Sequence, residues 1–313
     1  MNKKLIIRIS NELGNQMFMY AAAYSVSKKL DRKLYIDNET AFLSKKNISN
    51  YGLNHFKISA AVASDKLKFK NFYGYIKKKI LVNTEFLRFK KKFYIEKKDV
   101  NKITKYNVDF LDNNYDKDMF LEGHFESEKY FLDYKNEILN DFRFNNIDHL
   151  EKNIYFKELN VNNSVSICLR QNRFSEARGK ISSLNDQKSL SFTNEQINYI
   201  NKSVELIKNK IEKPTFFLWS NDFSNIPKNK FNFQYKQIDL TKINNSSDKR
   251  ILSLFLMSKC NHHIVTPSSF NWWGAWLSEK ENKIVCRPHN NFFSDFKINN
   301  IDLWPNNWIE INE

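Results

Sequence analysis

Glycine is scarce in this sequence, with 6 in 313 residues. This excludes phosphate-binding loops that need several glycines at fixed spacing, and neither a GxGxxG run nor a Walker A loop is present. Cysteine is also rare, and Cys168, Cys260 and Cys286 lie far apart in or beside apolar runs. Such spacing predicts buried free thiols in a reducing compartment, not a disulfide framework.

Metal-binding motifs and long apolar runs are missing as well. No CxxC or HExxH pair is present, so the sequence predicts no metal site. The apolar run at the start, within MNKKLIIRIS, is far too short for a signal peptide or a membrane span. These absences favour a cytoplasmic protein.

Acidic residues are few relative to basic ones: 35 against 50 gives a formal net charge of +15. This favours anionic partners, namely nucleic acid, an anionic membrane surface or a phosphorylated substrate. Lysines cluster at 75–79 and 88–98. These clusters either form an ordinary solvated surface or attach the protein weakly to the anionic inner face of the cytoplasmic membrane. No RNP, zinc-finger or basic-zipper pattern is present, so we expect no nucleic-acid partner.

The order of apolar segments predicts an α/β protein. Strands at 4–9 and 33–37 flank a helix at 14–30, which is the βαβ opening of a parallel sheet. The same rhythm restarts with a strand at 165–169. We therefore predict two α/β domains.

The domain limits and three of the helices follow from the same pattern. The two domains are expected at 1–150 and 151–313, with a polar linker near 145–163. Helices are predicted at 127–144, at 193–211 with Thr193 as its cap, and at 249–260.

Arginine is unevenly used, because three of only nine arginines fall between 170 and 178. Arg170 follows a buried strand directly, at the position where α/β folds bind ligands. A guanidinium there can bind a phosphate through two parallel hydrogen bonds, which lysine cannot do. Arg173 adds charge to the same loop. The alternative is a surface Arg170 paired with Glu176.

A second candidate site lies where a strand at 262–267 meets an aromatic helix. The backbone N–H groups at this helix start, with the hydroxyls of Ser268 and Ser269 and with Phe270, predict an anion site. The alternative is an ordinary serine cap. The tryptophans that follow are expected in the core.

Two further segments are weaker candidates. Ser220 and Asp222 end another strand, and the Asp222 carboxylate could accept hydrogen bonds from a ligand or cap the next segment. Asn15 and Gln16 lie between the first strand and its helix, where they could reach a sugar across a cleft, or Asn15 could cap the helix.

Taken together, these segments resemble the bacterial α-1,2-fucosyltransferases of glycosyltransferase family 11. LGNQMFMYAAAYS is similar to that family's GLGNQMFQYA, GHFESEKYF to its GYWQSEKYF, SICLRQNRF to its HxRRGD region and WSND to its SDD-like segment. LMSKCNHHIVTPSSFNWWGAWL closely matches its LMS-C-H-I-NSTFSWWGAWL segment, and WPNNWIEI matches its closing YPENWI.

The resemblance implies a GT-B architecture, in which two Rossmann-like domains face each other across a cleft. It implies that the C-terminal domain holds GDP-β-L-fucose and that the N-terminal domain mainly binds the acceptor. It implies inverting transfer, usually to O2 of galactose, with no obligatory metal and no cofactor besides the donor. The expected acceptor is a galactose-containing oligosaccharide or lipid-linked glycan of surface-polysaccharide (O-antigen) assembly.

If the chain is such a transferase, Arg170 and the Ser269–Phe270 helix start are expected at the β-phosphate of the donor. Arg173 is expected either to add charge to the same phosphate site or to face the acceptor. Asp222 or Glu176 is the expected base, with His124 as an outside candidate.

The sequence departs from the HxRRGD region at several positions. Cys168 replaces the histidine, and Gln171, Asn172 and Arg173 replace the second arginine, the glycine and the aspartate. These changes leave two alternatives open. One is a transferase for another GDP-deoxysugar such as GDP-colitose, and the other is an inert glycan- or nucleotide-binding relative.

Overall fold

The chain forms two compact units, of which the first ends at Asn145 and the second begins at Asn146. The structure is a computed structural model that describes residues 3–43, 50–83, 93–96, 105–107, 118–175, 183–243, 248–290, 292–296 and 301–312.

Unit 1 contains a five-stranded parallel sheet in the order β3-β2-β1-β5-β4. Its elements are β1 (Lys4–Arg8), α1 (Leu13–Lys29), β2 (Lys33–Asp37), β3 (Ala61–Val62), α2 (Asn71–Asn83), β4 (Phe93–Ile95), β5 (Met119–Glu122) and α3 (Lys135–Asp141).

Helix α1 packs against β1 and β2 and is buried around nearly its whole circumference. The run Ala21–Ala23 allows this, since small side chains let neighbouring backbones approach closely. Its N-cap is Glu12, two residues before the predicted helix start, so Asn15 lies in the first turn and is not the cap.

Unit 2 contains a six-stranded parallel sheet in the order β11-β10-β9-β6-β7-β8. Its elements are α4 (Ile147–Glu151), α5 (Ile154–Leu159), β6 (Ser164–Leu169), α6 (Ser183–Lys210), β7 (Thr215–Ser220), β8 (Lys236–Gln237), α7 (Lys249–Lys259), β9 (His262–Ile264), α8 (Ser269–Trp276), β10 (Val285–Pro288) and β11 (Ile309–Ile311).

The aromatic helix α8 lies in the core of unit 2, as predicted for its tryptophans. Trp272 and Trp273 are fully buried, and the indole of Trp272 donates a hydrogen bond to the carbonyl of Leu303 at 2.9 Å. Helix α7 packs tightly against it: a Cβ on Gly274 would lie 2.9 Å from Cβ of Met257. All three cysteines are free thiols, as expected, and Cys260 and Cys286 are buried.

The predicted linker at 145–163 contains the two short helices α4 and α5, and from Asn146 onwards it belongs to unit 2. The ring of Phe156 stacks on Phe255 of α7 with 5.7 Å between centroids, and the Tyr155 hydroxyl donates to the carbonyl of Asp239 at 3.2 Å. The division between the units therefore lies a few residues before the predicted one.

Two helix predictions are wrong in their extent. In the segment 127–144, Phe131 has φ −139°, which interrupts the helix, so only α3 is α-helical. Helix α6 begins at Ser183, ten residues before the predicted cap Thr193. The Thr193 hydroxyl bonds the carbonyl of Ser189 one turn back at 2.9 Å, which satisfies it inside a helix.

Candidate functional site

The order of strands in unit 2 reverses between β6 and β9. From β6 the chain proceeds through β7 to β8 on one side, and then fills the other side with β9, β10 and β11. Because every pair is parallel, the carboxyl ends of these strands share one edge, and the loops after β6 and β9 diverge there. Ligands of open α/β sheets bind at such a switch point.

Arg170 is the first residue after β6, and it is exposed at this edge. The buried side chain of Gln196 on α6 forms hydrogen bonds with both the N–H and the carbonyl of Arg170. The Gln196 Oε1 accepts from the Arg170 N–H at 3.2 Å, and its Nε2 donates to the Arg170 carbonyl at 2.8 Å. The sheet and one helix therefore fix the backbone from which this guanidinium extends.

Replacing Gln196 by leucine should lower kcat for sugar transfer by about tenfold, because the Arg170 backbone loses both side-chain partners. The Arg170 backbone groups that lose their partner should also lower the free energy of unfolding by about 1–3 kcal/mol. Steady-state kinetics and thermal unfolding measure the two effects. The matched control is Gln187→Leu, at an exposed position of α6. Unchanged kcat in Gln196→Leu would contradict the positioning role.

The next residue, Gln171, joins the loops after β6 and β7. Its backbone N–H donates to Asn221 Oδ1 at 2.8 Å, and its carbonyl accepts from Asn221 Nδ2 at 3.1 Å. Its buried side chain bonds the Ser220 hydroxyl and the Asp222 carbonyl. Gln171, which replaces an arginine of the family pattern, thus links two loops within the protein.

Asp222 orders the loop after β7. Its carboxylate accepts from the Ser224 hydroxyl at 2.6 Å, the Ser224 N–H at 3.0 Å and the Asn225 amide at 2.8 Å. These hydrogen bonds hold the pKa of Asp222 below its usual range. A carboxylate with a lowered pKa is a weaker proton acceptor, so this environment disfavours Asp222 as a general base.

Arg173 connects the two loops of the switch point. Its Nη1 donates to the carbonyl of Pro267 at 2.6 Å, and its guanidinium lies over the ring of Phe192, 5.3 Å from the centroid. Pro267 directly precedes the start of α8. This contact assigns Arg173 a positioning role between the β6 loop and the α8 N-terminus.

The N-terminus of α8 faces the same edge of the sheet. Its N-cap, Ser268, is extended and makes no side-chain cap hydrogen bond. Thr266 anchors the approach: its hydroxyl donates to the Cys168 carbonyl at 2.9 Å and accepts from Asn271 at 2.8 Å. The backbone N–H groups of a first helical turn form a site for an anion.

Cys168, which stands in place of the family's histidine, is not a nucleophile here. Cys168 is half-buried, and the protein atoms that shield its thiol from water raise the pKa of this thiol to about 12, so the thiol stays neutral at physiological pH.

Unit 1 has its own switch point, between β1 and β5. Asn11 follows β1 and His124 follows β5, and Asn11 Nδ2 lies 3.1 Å from His124 Nε2. Glu126 lies 3.8 Å from the other ring nitrogen. Since the amide nitrogen can only donate, it favours the tautomer with the proton on Nδ1, towards Glu126.

Gln16 is fully buried and serves unit 1 internally. Its amide bonds the carbonyls of Asn11 and Asn50 and the N–H of Gly52 at 2.7–2.9 Å. The expectation that Gln16 reaches a sugar is therefore wrong. Its neighbour Asn15 is half-buried.

A small cavity of about 80 Å³, lined partly by charged and partly by apolar side chains, lies at the same edge of the unit 1 sheet. Arg8, Asp37 and Glu122, the last residues of three strands, line it together with Thr40, Tyr75 and Lys78. The Arg8 guanidinium donates to the Thr40 hydroxyl at 3.0 Å and lies 3.6 Å from Glu122. Fixed charges of both signs suit the hydroxyl groups of a sugar, which both donate and accept.

The structure brings most of the predicted site residues together in unit 2. Arg170, Arg173 and the Ser268–Phe270 helix start share the switch point, and Ser220 and Asp222 lie on the neighbouring loop. Asn15 belongs to unit 1, and Glu176 lies outside the described residues.

Sequence reasoning missed the polar side chains that hold these loops. These residues are Gln196, Asn221, Thr266 and Asn271. Within the described ranges, no three His, Cys, Asp or Glu side chains come close enough together to hold a metal ion.

Comparison with solved structures identifies the class of the fold. Fucosyltransferase NodZ from Bradyrhizobium aligns with a TM-score of 0.52 at 13% identity, covering 88% of this chain and 93% of that one. A mutant of Arabidopsis thaliana FUT1 in complex with GDP aligns with a TM-score of 0.51 at 13% identity, covering 97% and 75%. The two α/β units with parallel sheets are thus of the GT-B type, the fold class predicted from the sequence.

Sequence comparison identifies the family. The profile of glycosyl transferase family 11 matches residues 2–312, and the chain belongs to this family of glycosyltransferases. An Escherichia coli alpha-1,2-colitosyltransferase is 26% identical over 98% of both chains. The E. coli O-antigen biosynthesis glycosyltransferase WbnK is 26% identical over 95% of this chain and 98% of its own.

Proposed function

We propose that this glycosyltransferase moves L-fucose from GDP-β-L-fucose to a hydroxyl of a surface-glycan precursor, with O2 of a galactoside as the acceptor atom. The observation that carries the proposal is the switch point of unit 2, where Arg170 and the α8 N-terminus lie at the same edge of the sheet. An arginine beside a helix N-terminus provides both charge and directed N–H donors for a diphosphate. The GDP in the FUT1 complex and the O-antigen role of WbnK support this choice.

In the proposed reaction the acceptor oxygen attacks the anomeric carbon of fucose from the face opposite GDP. The bond between that carbon and the β-phosphate oxygen breaks, which inverts the configuration and leaves the electron pair on GDP. Arg170 and the backbone N–H groups of Ser269 and Phe270 stabilise this growing charge without a metal ion. Fixed donors of this kind contribute strongly where charge develops in the transition state.

The acceptor hydroxyl must also lose its proton. Its oxygen attacks a carbon with oxocarbenium character, so a weak base is sufficient. Asp222 is disfavoured because both of its carboxylate oxygens already accept hydrogen bonds, from Ser224 and Asn225. Glu176 stays a predicted base, and His124, with Asn11 and Glu126 around its ring, is the alternative that unit 1 offers for acceptor contact.

A second candidate donor is GDP-colitose. The alpha-1,2-colitosyltransferase aligns over almost the whole of both chains, and its name gives the same linkage position. Both reactions need the same diphosphate contacts, so Arg170 and α8 do not distinguish them.

Acceptor-dependent release of GDP tests the function. GDP-fucose and GDP-colitose are each supplied with β-galactosyl disaccharides in EDTA, and the matched control acceptors are the 2-deoxygalactose analogues. We expect GDP release with the intact acceptors and none with the analogues. Faster release from GDP-colitose would select the second donor, and activity that EDTA abolishes would overturn the metal-independent reaction. GDP binding without release from either donor would point to an inert binding protein.

A further inference from the structure

The outer face of α2 is apolar, in reverse of the usual pattern for a surface helix. We define this face by Phe72, Tyr73, Ile76 and Ile80. Phe72 is 70% exposed, Tyr73 81% and Ile80 56%, and Ile76 is also exposed. Phe72, Ile76 and Ile80 recur every four residues and therefore form one stripe along the helix.

Lysines border this stripe on both sides. At 100° per residue, Lys77 projects beside Tyr73, and Lys79 projects beside Phe72. Both are exposed, and Lys79 lies over the ring of Tyr75, 4.8 Å from its centroid. No aspartate or glutamate occurs in Asn71–Asn83, so the helix presents apolar rings between positive charges.

We propose that the outer face of α2 docks the enzyme on an anionic membrane surface. An interfacial helix inserts its apolar side chains at the headgroup boundary, while flanking lysines contact the lipid phosphates. The positive charge of the helix and the net charge of +15 complement such a surface. In the described residues no helix has both the length and the apolar character to cross a membrane, so α2 would lie in the interface.

This location fits a lipid-linked acceptor. Tyr75 and Lys78 of the same helix line the cavity of unit 1, on the side of α2 opposite its outer face. A docked α2 would therefore hold that cavity about one helix diameter, roughly 10 Å, from the membrane surface, near the sugar of a lipid-carried glycan. Only this consequence rests on the proposed function, because docking itself needs neither donor nor acceptor.

Vesicle sedimentation of the full chain tests the docking. We expect binding to vesicles of phosphatidylcholine with about one-third phosphatidylglycerol to be at least tenfold tighter than to phosphatidylcholine alone, and to weaken with added salt. Phe72→Ser/Tyr73→Ser/Ile76→Ser should reduce binding by at least tenfold. Lys77→Gln/Lys79→Gln should reduce it by about fivefold for each lysine.

The matched control is Leu184→Ser/Leu190→Ser, which removes exposed leucines of α6 in unit 2. It should bind vesicles as the wild type does. Equal binding by the wild type and the triple variant would overturn the proposal. So would a wild-type dimer that the triple variant converts to a monomer in light scattering, because the face would then bind a second copy. GDP release with a soluble acceptor, measured in parallel, separates failure of docking from failure of the proposed function.

Discussion

Replacing Arg170 by alanine is expected to lower kcat for sugar transfer by about 10²–10³-fold, the usual cost of removing one preorganised donor from a developing charge. The residue follows β6 at the switch point, and Gln196 fixes its backbone. Acceptor-dependent GDP release in EDTA measures the effect. Arg170→Lys should recover only a small part, since an ammonium keeps the charge and loses the two parallel hydrogen bonds.

A surface arginine of the same unit provides the control. Arg250 lies at the start of α7, 2.7 Å from Asp248, and Arg250→Ala should leave kcat unchanged. GDP binding and thermal unfolding of both variants show whether unit 2 remains folded. Wild-type kcat and KM in Arg170→Ala would place the diphosphate elsewhere and remove the main support for the proposed donor site.

The sequence was sufficient to predict the two parallel sheets, because buried parallel strands are short continuous apolar runs that periodicity makes visible. It was insufficient for segments whose conformation depends on packing. The stretch 145–163 is mostly polar, yet Tyr155 and Phe156 within it secure the segment 154–159 to unit 2. The helix predicted at 127–144 has the right period, but Phe131 is fully buried and leaves helical geometry.

The scarcity of glycine has a structural counterpart in asparagine. Six of the nine non-glycine residues described with positive φ are asparagines. Among them is Asn172 at φ 57°, where the family pattern has glycine. Asparagine tolerates left-handed backbone better than other residues with a Cβ. Asn172, which stands where the family pattern has glycine, therefore preserves the turn after β6. This departure from the pattern does not indicate that the phosphate site is lost.

The sequence was sufficient to predict those residues of the candidate site that directly follow a strand. Arg170 and Ser268 follow predicted strands, and parallel strands bring their carboxyl ends to one edge. The partners of these loops were not predictable, because Gln196 lies 26 residues from Arg170 in sequence and in the middle of a helix. Only the packing of α6 against the sheet brings that amide to the Arg170 backbone.

Replacing Arg173 by alanine should have the second-largest effect, lowering kcat by roughly 10–10²-fold through the position of the α8 N-terminus. The guanidinium donates to the Pro267 carbonyl at 2.6 Å, one residue before the helix cap. Losing this charged donor costs about 1–3 kcal/mol of local stabilisation. It leaves the start of α8 less firmly placed against the β6 loop, and small displacements of positioned groups reduce rates steeply.

The lysine variants distinguish this positioning role from direct phosphate binding. A lysine at 173 can still donate to the Pro267 carbonyl, so Arg173→Lys should restore most of kcat, whereas Arg170→Lys should not. Kinetics of both lysine variants beside both alanine variants give the comparison. If Arg173→Lys remained as slow as Arg173→Ala while thermal unfolding was unchanged, the guanidinium would have to bind phosphate in fork geometry, and the switch point would then hold the diphosphate between two arginines.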